Sequence, residues 1–183
     1  MTLKPPVSNK DHIQGNRHAA IALVEYGDYQ CPHCGQAYPV IKAIQKKFRS
    51  NLKFVFRNFP LSEVHPQARI AAIAAEAANM QGRFWEMHDI IFENQRNLFA
   101  SSLMEYARRI DLDLELFEAG LQSEALAEKV ESDFESGLRS GVNGTPGFFI
   151  NGQKYNGGSD EDSLSRYIEA KIAWLRENEI PFL

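Results

Sequence analysis

Cysteine is scarce in this chain: only two of its 183 residues are cysteines, and both lie in the segment Cys31-Pro32-His33-Cys34. Structural zinc sites usually take four ligands, and proteins with this C-x-x-C spacing usually supply a second pair. No second cysteine pair is present, and the five histidines include no H-x-x-x-H pair. The scarcity therefore favours a reversible dithiol over a zinc site. A third interpretation is that both cysteines are ordinary core residues without a chemical role.

Long apolar runs and an excess of one charge are also absent from the sequence. No apolar segment approaches the roughly 20 residues of a membrane-spanning helix, so no membrane insertion is expected. The net charge is -4 and the basic residues are scattered, which argues against nucleic acid as a partner. The hydrophobic content of 44% suits one domain, or one domain with an insertion.

The ten N-terminal residues contain no apolar segment of the kind that signal peptides carry. As it stands, the sequence therefore predicts a cytoplasmic protein. A periplasmic or other extracytoplasmic location is expected instead if a leader peptide has been removed. The single cysteine pair does not decide between these locations, because a catalytic dithiol occurs in either redox environment.

Hydrophobic periodicity predicts the order β-α-β, then a helical block, then β-β-α. Residues 1–18 are polar and proline-bearing, and they are expected to form an extended arm. The apolar run at residues 21–27 and the alternating run at residues 52–59 predict two strands. Between these strands, Pro32 is acceptable in a first helical turn and opens a helix.

Residues 65–139 show helical spacing throughout and contain no candidate strand. Within this block, Ser102 begins the pattern of a capping box, and Asp113 is suited to cap a short helix. Gly141 is expected to end the block. A strand, a tight turn, a short return strand and a final helix are predicted to follow it.

The position of the two cysteines after a predicted strand bears on their chemistry. A C-x-x-C segment that begins a helix puts the first sulfur beside unpaired backbone N–H groups, which stabilise a thiolate together with the helix dipole. The second sulfur lies one turn on, within reach of a disulfide. The imidazole of His33 is expected to donate a hydrogen bond or positive charge to the Cys31 thiolate, unless it faces solvent.

Three segments of the sequence resemble bacterial DsbA-like thiol–disulfide oxidoreductases. They are the segment around the cysteines, the Phe-Trp-Glu-Met-His segment and the segment Val-Asn-Gly-Thr-Pro-Gly-Phe-Phe-Ile-Asn-Gly, at residues 25–34, 84–88 and 142–152. The resemblance covers nearly the whole chain after residue 12.

The resemblance implies the α/β class, with a thioredoxin-like fold that carries an inserted all-helical subdomain. Residues 1–18 would then be an extended N-terminal arm. The thioredoxin-like domain would comprise residues 19–63 and 141–183, and the helical insertion would comprise residues 64–140.

By this resemblance, Cys31 is the exposed nucleophile and Cys34 is the buried resolving thiol. Pro32 and His33 complete the catalytic segment. The implied reaction is thiol–disulfide exchange with protein or peptide substrates, followed by recharging of the dithiol by an unidentified redox partner. This reaction requires neither a metal nor an organic cofactor.

Two further sites are implied by the same resemblance. Pro146 corresponds to the family's cis-proline, which lies beside the dithiol and leaves the backbone of Thr145 free to pair with an extended substrate. Glu25 corresponds to a buried acid of the first strand, where burial should raise its pKa and let it relay a proton to or from Cys34. A Glu25 that faces water at a strand edge is the alternative. Arg57 is the nearest candidate for a basic partner.

Two other classes of protein remain open on this scaffold. A kappa-type glutathione transferase or isomerase also inserts helices into a thioredoxin fold, but it activates bound glutathione and needs no resolving thiol such as Cys34. A non-catalytic interaction domain, for example the soluble companion of a membrane protein, would use the groove beside Pro146.

Overall fold

A five-stranded sheet forms the centre of the protein in the computed structural model, which describes residues 1–178. The strands are β1 (His12–Gly15), β2 (Ile21–Gly27), β3 (Leu52–Asn58), β4 (Gly147–Ile150) and β5 (Gln153–Lys154). Their order across the sheet is β1-β3-β2-β4-β5. The β2–β3 pair is parallel, whereas the other three neighbouring pairs are antiparallel.

Seven α-helices within residues 1–178 accompany the sheet. They are α1 (Pro32–Phe48), α2 (Ala68–Asn79), α3 (Phe84–Glu93), α4 (Ala100–Arg109), α5 (Leu114–Leu121), α6 (Glu124–Arg139) and α7 (Glu161–Glu177). Because α2 to α6 all fall between β3 and β4, the structure confirms the α/β class with a helical insertion. None of these seven helices is long and apolar enough to cross a bilayer.

The two central strands are buried on both faces, as their apolar composition requires. Side chains alternate along a strand, so Leu23 of β2 joins the larger core, which also contains apolar residues of α1, α7 and the helical block. Val24 and Tyr26 join a smaller core on the opposite face, together with Phe149 of β4. Parallel strands such as β2 and β3 are stable because both of their faces are covered in this way.

The edge strand β1 was not predicted from the sequence, which indicated only an extended arm. β1 pairs antiparallel with β3. His12 attaches it to the helical block, because its Nε2 atom lies 3.0 Å and 2.9 Å from the two carboxylate oxygens of Glu76 in α2. The His12 ring also stacks on Phe84, with 3.5 Å between ring centroids. These contacts join distant segments, so the periodicity of a four-residue strand carried no sign of them.

The starts of two helices test the capping patterns. Asp113 caps α5 as predicted, since its side chain accepts hydrogen bonds from two main-chain N–H groups. The prediction for Ser102 was wrong, because α4 begins at Ala100 and Ser102 lies inside the helix. The N-cap residue is Phe99, which makes no side-chain cap, and Leu98 just before it is fully buried, so the start of the helix lies at a packed position that a capping pattern does not mark.

Gly137 in α6 marks a close approach between the helical block and the smaller core. A Cβ atom at this position would lie 2.5 Å from Cδ2 of Phe59 and 3.1 Å from Cδ1 of Tyr26. Replacing a helical glycine by alanine usually stabilises a helix by about 1 kcal/mol. Here we expect Gly137→Ala to lower the free energy of unfolding instead, by about 1 to 3 kcal/mol, because both rings are buried and must shift.

Urea unfolding of both proteins measures this difference. Ser132→Ala, on the exposed face of the same helix, is the matched control and is expected to change stability by no more than about 0.5 kcal/mol. A Gly137→Ala protein as stable as the wild type would contradict the close packing of α6 on Phe59.

Candidate active site

Cys31 and Cys34 lie at the start of α1, shortly after β2 ends at Gly27. Cys31 is the N-cap residue and Pro32 is the first helical residue. Proline suits this position because the N–H groups of a first turn have no helical acceptor, so a missing one costs little. The main-chain oxygen of Cys31 accepts the first helical hydrogen bond, from Gly35 at 3.1 Å. Its side chain therefore stands beside N–H groups that the helix itself leaves free.

The surroundings of Cys31 favour its thiolate. A hydrogen bond from the Cys34 thiol is the largest influence, and the Thr145 side chain and the main-chain N–H groups of Cys34 and His33 add to it. Together they outweigh desolvation and lower the pKa of Cys31 from its ordinary 9.0 to about 5. When protonated, the Cys31 thiol donates to the main-chain oxygen of Thr145 at 3.5 Å. At neutral pH the reduced Cys31 is therefore a thiolate, which is the nucleophilic form.

Cys34 is held in the opposite protonation state. It is fully buried, and burial is the main reason why its pKa is raised well above the ordinary 9.0. The hydrogen bond to Cys31 raises it further. The main-chain N–H of Asp28 donates to the Cys34 sulfur at 3.4 Å. In this structure both cysteines are free, so the pair consists of one reactive thiolate and one buried thiol.

The expectation of an exposed Cys31 was wrong. The residue is 4% exposed, compared with 0% for Cys34, so it is only the more accessible of two buried residues. The loop before β4 provides part of the cover, since the main-chain oxygen of Thr145 contacts the Cys31 sulfur. The antiparallel pairing of β4 with β2 brings this loop opposite the dithiol. The Thr145–Pro146 peptide bond in the loop is cis.

Pro32 and His33 are exposed at the tip of α1. The contribution of His33 to the lowered pKa of Cys31 comes from its main-chain N–H. A contact between the imidazole and the Cys31 thiolate therefore stays a prediction. A groove of about 270 Å³ begins at His33 and continues past Thr145 and Pro146 to Tyr155, so it runs beside the dithiol although neither cysteine lines it.

Glu25 faces the interior of the protein, not water. It lies in β2 between Phe56 of β3 and Phe148 of β4, and it is 3% exposed. Burial, followed by the negative charge of Cys31, raises the pKa of Glu25 to about 8. Its Oε1 atom has no hydrogen-bond partner among residues 1–178. At neutral pH the group is therefore mostly a carboxylic acid that carries a proton.

Arg57, which the sequence offered only as the nearest candidate for a basic partner of Glu25, does not pair with it. In the β2–β3 pairing Arg57 lies in register with Tyr26, and adjacent strand positions face opposite sides of the sheet. Its guanidinium donates to the two carboxylate oxygens of Asp11 at 2.7 Å and 3.1 Å. It also donates to the hydroxyl of Tyr26 at 2.9 Å. This pairing could not be predicted from local patterns, because Asp11 is 46 residues away in the N-terminal arm.

Two residues that shape the site were not singled out from the sequence. The side-chain amide of Gln95 donates to the main-chain oxygens of Tyr29 at 2.8 Å and Cys31 at 3.0 Å. Asp28 accepts hydrogen bonds from the main-chain N–H groups of Gln30 and Cys31. An aspartate just before a helix is a recognisable turn signal, so Asp28 was open to prediction. Gln95 was not, because its partners lie 66 and 64 residues away.

The donor groups of the site suit thiol chemistry. Within residues 1–178, no three His, Cys, Asp or Glu side chains lie close enough together to hold a metal ion. A separate groove of about 500 Å³, between residues 60–64 and α6, is lined by neither cysteine.

The chain belongs to the thioredoxin family, whose sequence profile matches residues 7–170. Its structure is similar to that of oxidised BdbD from Bacillus subtilis, with a TM-score of 0.83 and 26% sequence identity, over 92% of this chain and 96% of that one. It is also similar to α-DsbA1 from Wolbachia pipientis, with a TM-score of 0.81 and 20% identity, over 93% and 97% of the two chains. At that identity the second likeness shows the fold alone.

Curated relatives with higher identity are much longer proteins. The Na(+)/H(+) antiporter NhaA 1 of Salinispora arenicola (strain CNS-205) is 41% identical over 172 residues, which are 94% of this chain and 26% of that protein. The Na(+)/H(+) antiporter NhaA of Herminiimonas arsenicoxydans is 38% identical over 182 residues, which are 99% and 29% of the two chains. The chain thus spans less than a third of the length of these relatives.

Replacing Glu25 by Gln tests the buried acid through the pH dependence of stability. The unfolded chain ionises this group near pH 4.5 and the folded chain only near pH 8, so between these values the folded state binds more protons and the wild type loses stability as pH rises. We expect the stability of Glu25→Gln relative to wild type to grow by up to about 1.4 kcal/mol per pH unit over this interval, and to level off above it.

Denaturant unfolding of the two reduced proteins across this pH range measures the effect. Cys31 is present in both proteins, so its own titration cancels to first order. A stability difference that does not change with pH would show that Glu25 is not held protonated in the folded protein.

Proposed function

We propose that this chain is a thiol–disulfide oxidoreductase that exchanges disulfides with protein or peptide thiols through Cys31 and Cys34. The observation that carries the proposal is the opposite perturbation of two neighbouring thiols: the pKa of Cys31 is lowered to about 5, and that of Cys34 is raised. A structural cysteine pair has no need of such a difference. In an exchange reaction, it makes one sulfur the nucleophile and good leaving group, and keeps the other protonated until it is needed.

The reaction starts from the Cys31–Cys34 disulfide. A substrate thiolate attacks the Cys31 sulfur, the bond to Cys34 breaks, and Cys34 leaves with the bonding electron pair. A second substrate thiolate then attacks the substrate sulfur of this mixed disulfide and releases the Cys31 thiolate. Two substrate thiols are thereby oxidised to a disulfide and the dithiol is reduced. A redox partner that accepts these two electrons restores the Cys31–Cys34 disulfide, and neither a metal nor an organic cofactor takes part.

Glu25 is proposed to supply the proton that Cys34 takes up when it leaves. The thiolate of Cys34 is strongly basic in this buried position, because its pKa is raised well above 9.0. Glu25 is buried and still protonated at neutral pH, since its pKa is raised to about 8. Proton transfer from Glu25 to Cys34 is therefore favourable in this direction, and the reverse transfer accompanies disulfide formation.

Thr145 and Pro146 are proposed to hold the substrate chain beside Cys31. The main-chain oxygen of Thr145 lies 3.5 Å from the Cys31 sulfur, so an extended peptide that pairs with this loop brings its own sulfur close to the nucleophile. The groove that begins at His33 and passes Pro146 has room for such a chain. Recognition through main-chain atoms would allow substrates of varied sequence.

The low pKa of Cys31 bears on the direction of the reaction and on where the chain works. A stabilised thiolate favours the reduced dithiol, which makes the disulfide a stronger oxidant. We therefore propose that the chain oxidises substrate thiols in an extracytoplasmic compartment, where disulfides persist. In the cytoplasm the same dithiol would act as a reductase. The longer relatives are named as ion antiporters. This chain matches less than a third of their length, and the function proposed for it is thiol–disulfide exchange, not ion transport.

Single serine variants test the two sulfur roles. We expect Cys31→Ser to abolish exchange with scrambled ribonuclease, whose non-native disulfides the Cys31 thiolate attacks, because the nucleophile is lost. We expect Cys34→Ser to accumulate a stable mixed disulfide with the substrate, because attack by Cys31 remains possible but resolution within the pair does not. Non-reducing gel electrophoresis and mass spectrometry measure the trapped complex.

Three outcomes would count against the proposal. Equal trapping by both variants would contradict the assigned roles. Conjugation of glutathione to an electrophile that is unaffected by Cys34→Ser would indicate a kappa-type transferase instead. A wild-type protein that exchanges no disulfides with ribonuclease or insulin would indicate a non-catalytic interaction domain.

A further inference from the structure

Asp28, in the loop between β2 and α1, is only 1% exposed and carries no assigned role. We propose that Asp28, anchored by His65 at the start of the helical block, positions both sulfur atoms of the dithiol for exchange. The inference deepens the proposed function and rests on it. It makes Asp28 and His65 positioning residues, since neither side chain itself reacts.

One oxygen of the Asp28 carboxylate organises the entry into α1. Oδ1 accepts hydrogen bonds from the main-chain N–H of Gln30 at 2.7 Å and from that of Cys31 at 3.1 Å. The main-chain oxygen of Asp28 also accepts from the Cys31 N–H at 3.1 Å. These bonds define the turn that brings Cys31 to the N-cap position, so the direction of its side chain depends on Asp28.

The other oxygen ties this turn to a different part of the chain. Oδ2 accepts hydrogen bonds from the main-chain N–H of Leu61 at 2.9 Å and from Nδ1 of His65 at 2.8 Å. The side chain of Asp28 is fully buried whereas that of His65 is 20% exposed. A buried carboxylate without partners would be costly, but this one has four donors and is therefore stabilised where it lies. The loop between β3 and α2 is thus fixed against the active-site turn.

The main chain of Asp28 reaches the second sulfur. Its N–H donates to the Cys34 sulfur at 3.4 Å. A sulfur that accepts a hydrogen bond on one side presents its own S–H elsewhere, here toward Cys31. The hydrogen bond from Cys34 is the largest influence that lowers the pKa of Cys31. A displaced Asp28 would therefore disturb Cys34 directly and Cys31 through it.

Comparison with Asp113 separates this role from ordinary helix capping. Asp113 caps α5 with a single oxygen, Oδ1, which accepts from the N–H groups of Glu115 and Leu116. Asp28 makes the same kind of bonds with Oδ1, in the turn before the N-cap residue Cys31, but uses Oδ2 for Leu61 and His65 in a different loop. The two aspartates are thus a matched pair for experiment: Asp113 caps a helix, whereas Asp28 forms the turn before a helix and holds that turn against a second loop.

The test measures the alkylation rate of Cys31 against pH, and the equilibrium of the dithiol with glutathione, in folded protein. In Asp28→Asn the amide oxygen can still accept from the N–H groups of Gln30 and Cys31. The amide NH₂ group, however, takes the place of Oδ2 and faces the donors of Leu61 and His65, from which it cannot accept. We expect it to raise the pKa of Cys31 by about one unit and to shift the glutathione equilibrium about tenfold toward the disulfide. His65→Ala should shift the Cys31 pKa and the glutathione equilibrium in the same direction as Asp28→Asn, but by a smaller amount.

Two further variants make the result specific. His65→Gln, whose amide can donate to the same oxygen, is expected to keep the Cys31 pKa close to that of the wild type. Asp113→Asn is expected to lower the free energy of unfolding without changing either readout at the dithiol. If Asp28→Asn does not fold, the comparison of His65→Ala with His65→Gln decides the question.

An unchanged Cys31 pKa in folded Asp28→Asn, or equal values for His65→Ala and His65→Gln, would overturn the inference. So would an equal shift in Asp113→Asn, which would show a general effect of lower stability. Both readouts use small thiol reagents, so they can be measured even if the chain proves inactive on protein substrates. The failure of the proposed function and the failure of this inference are therefore distinguishable.

Discussion

The hydrogen bond from the Cys34 thiol to the Cys31 sulfur is the interaction on which the rest of the site depends. Burial by itself raises the pKa of any thiol, so two cysteines in the same interior would both stay protonated. The hydrogen bond removes this symmetry, because it stabilises a charge on Cys31 only while Cys34 keeps its proton. The same hydrogen bond thus lowers the pKa of Cys31 and raises that of Cys34. The pair therefore consists of one nucleophilic thiolate and one thiol that stays protonated.

The fold serves this interaction by bringing four separate segments to the start of α1. The end of β2 places Cys31 at a helix N-terminus, and β4 carries Thr145 to the opposite side of the sulfur. The helical block contributes Gln95, which donates a hydrogen bond to the main-chain oxygen of Cys31, and His65, which donates to the carboxylate of Asp28. Beneath them, Glu25 in the central strand is buried, and burial raises its pKa to about 8.

Much of this framework could be predicted from the sequence, because it depends on local patterns. The central strands are mostly apolar, the helical block has helical spacing, and Asp113 has the usual position of a cap, so each was predicted at or close to its observed place. The position of the cysteines after a strand indicated the dithiol. The resemblance to DsbA-like proteins suggested that Glu25 is buried, and in the structure it is 3% exposed.

The features that were missed depend on contacts between distant residues. β1 is held by the pairing of His12 with Glu76, 64 residues away, and Arg57 is held by Asp11. Neither pair leaves a periodic pattern. The limited exposure of Cys31 has the same origin, since the loop that covers it is 114 residues further along the chain. At Ser102 the opposite happened. The local pattern of a capping box is present there, but α4 begins at Ala100, next to the buried Leu98.

The thiolate absorbance of the reduced protein as a function of pH tests the central claim most directly, with Cys31→Ser as the blank. The account predicts that one thiolate per chain appears with a midpoint near pH 5, while Cys34 stays protonated throughout the neutral range. A midpoint near the ordinary value of 9.0, or two thiols that titrate together, would contradict it.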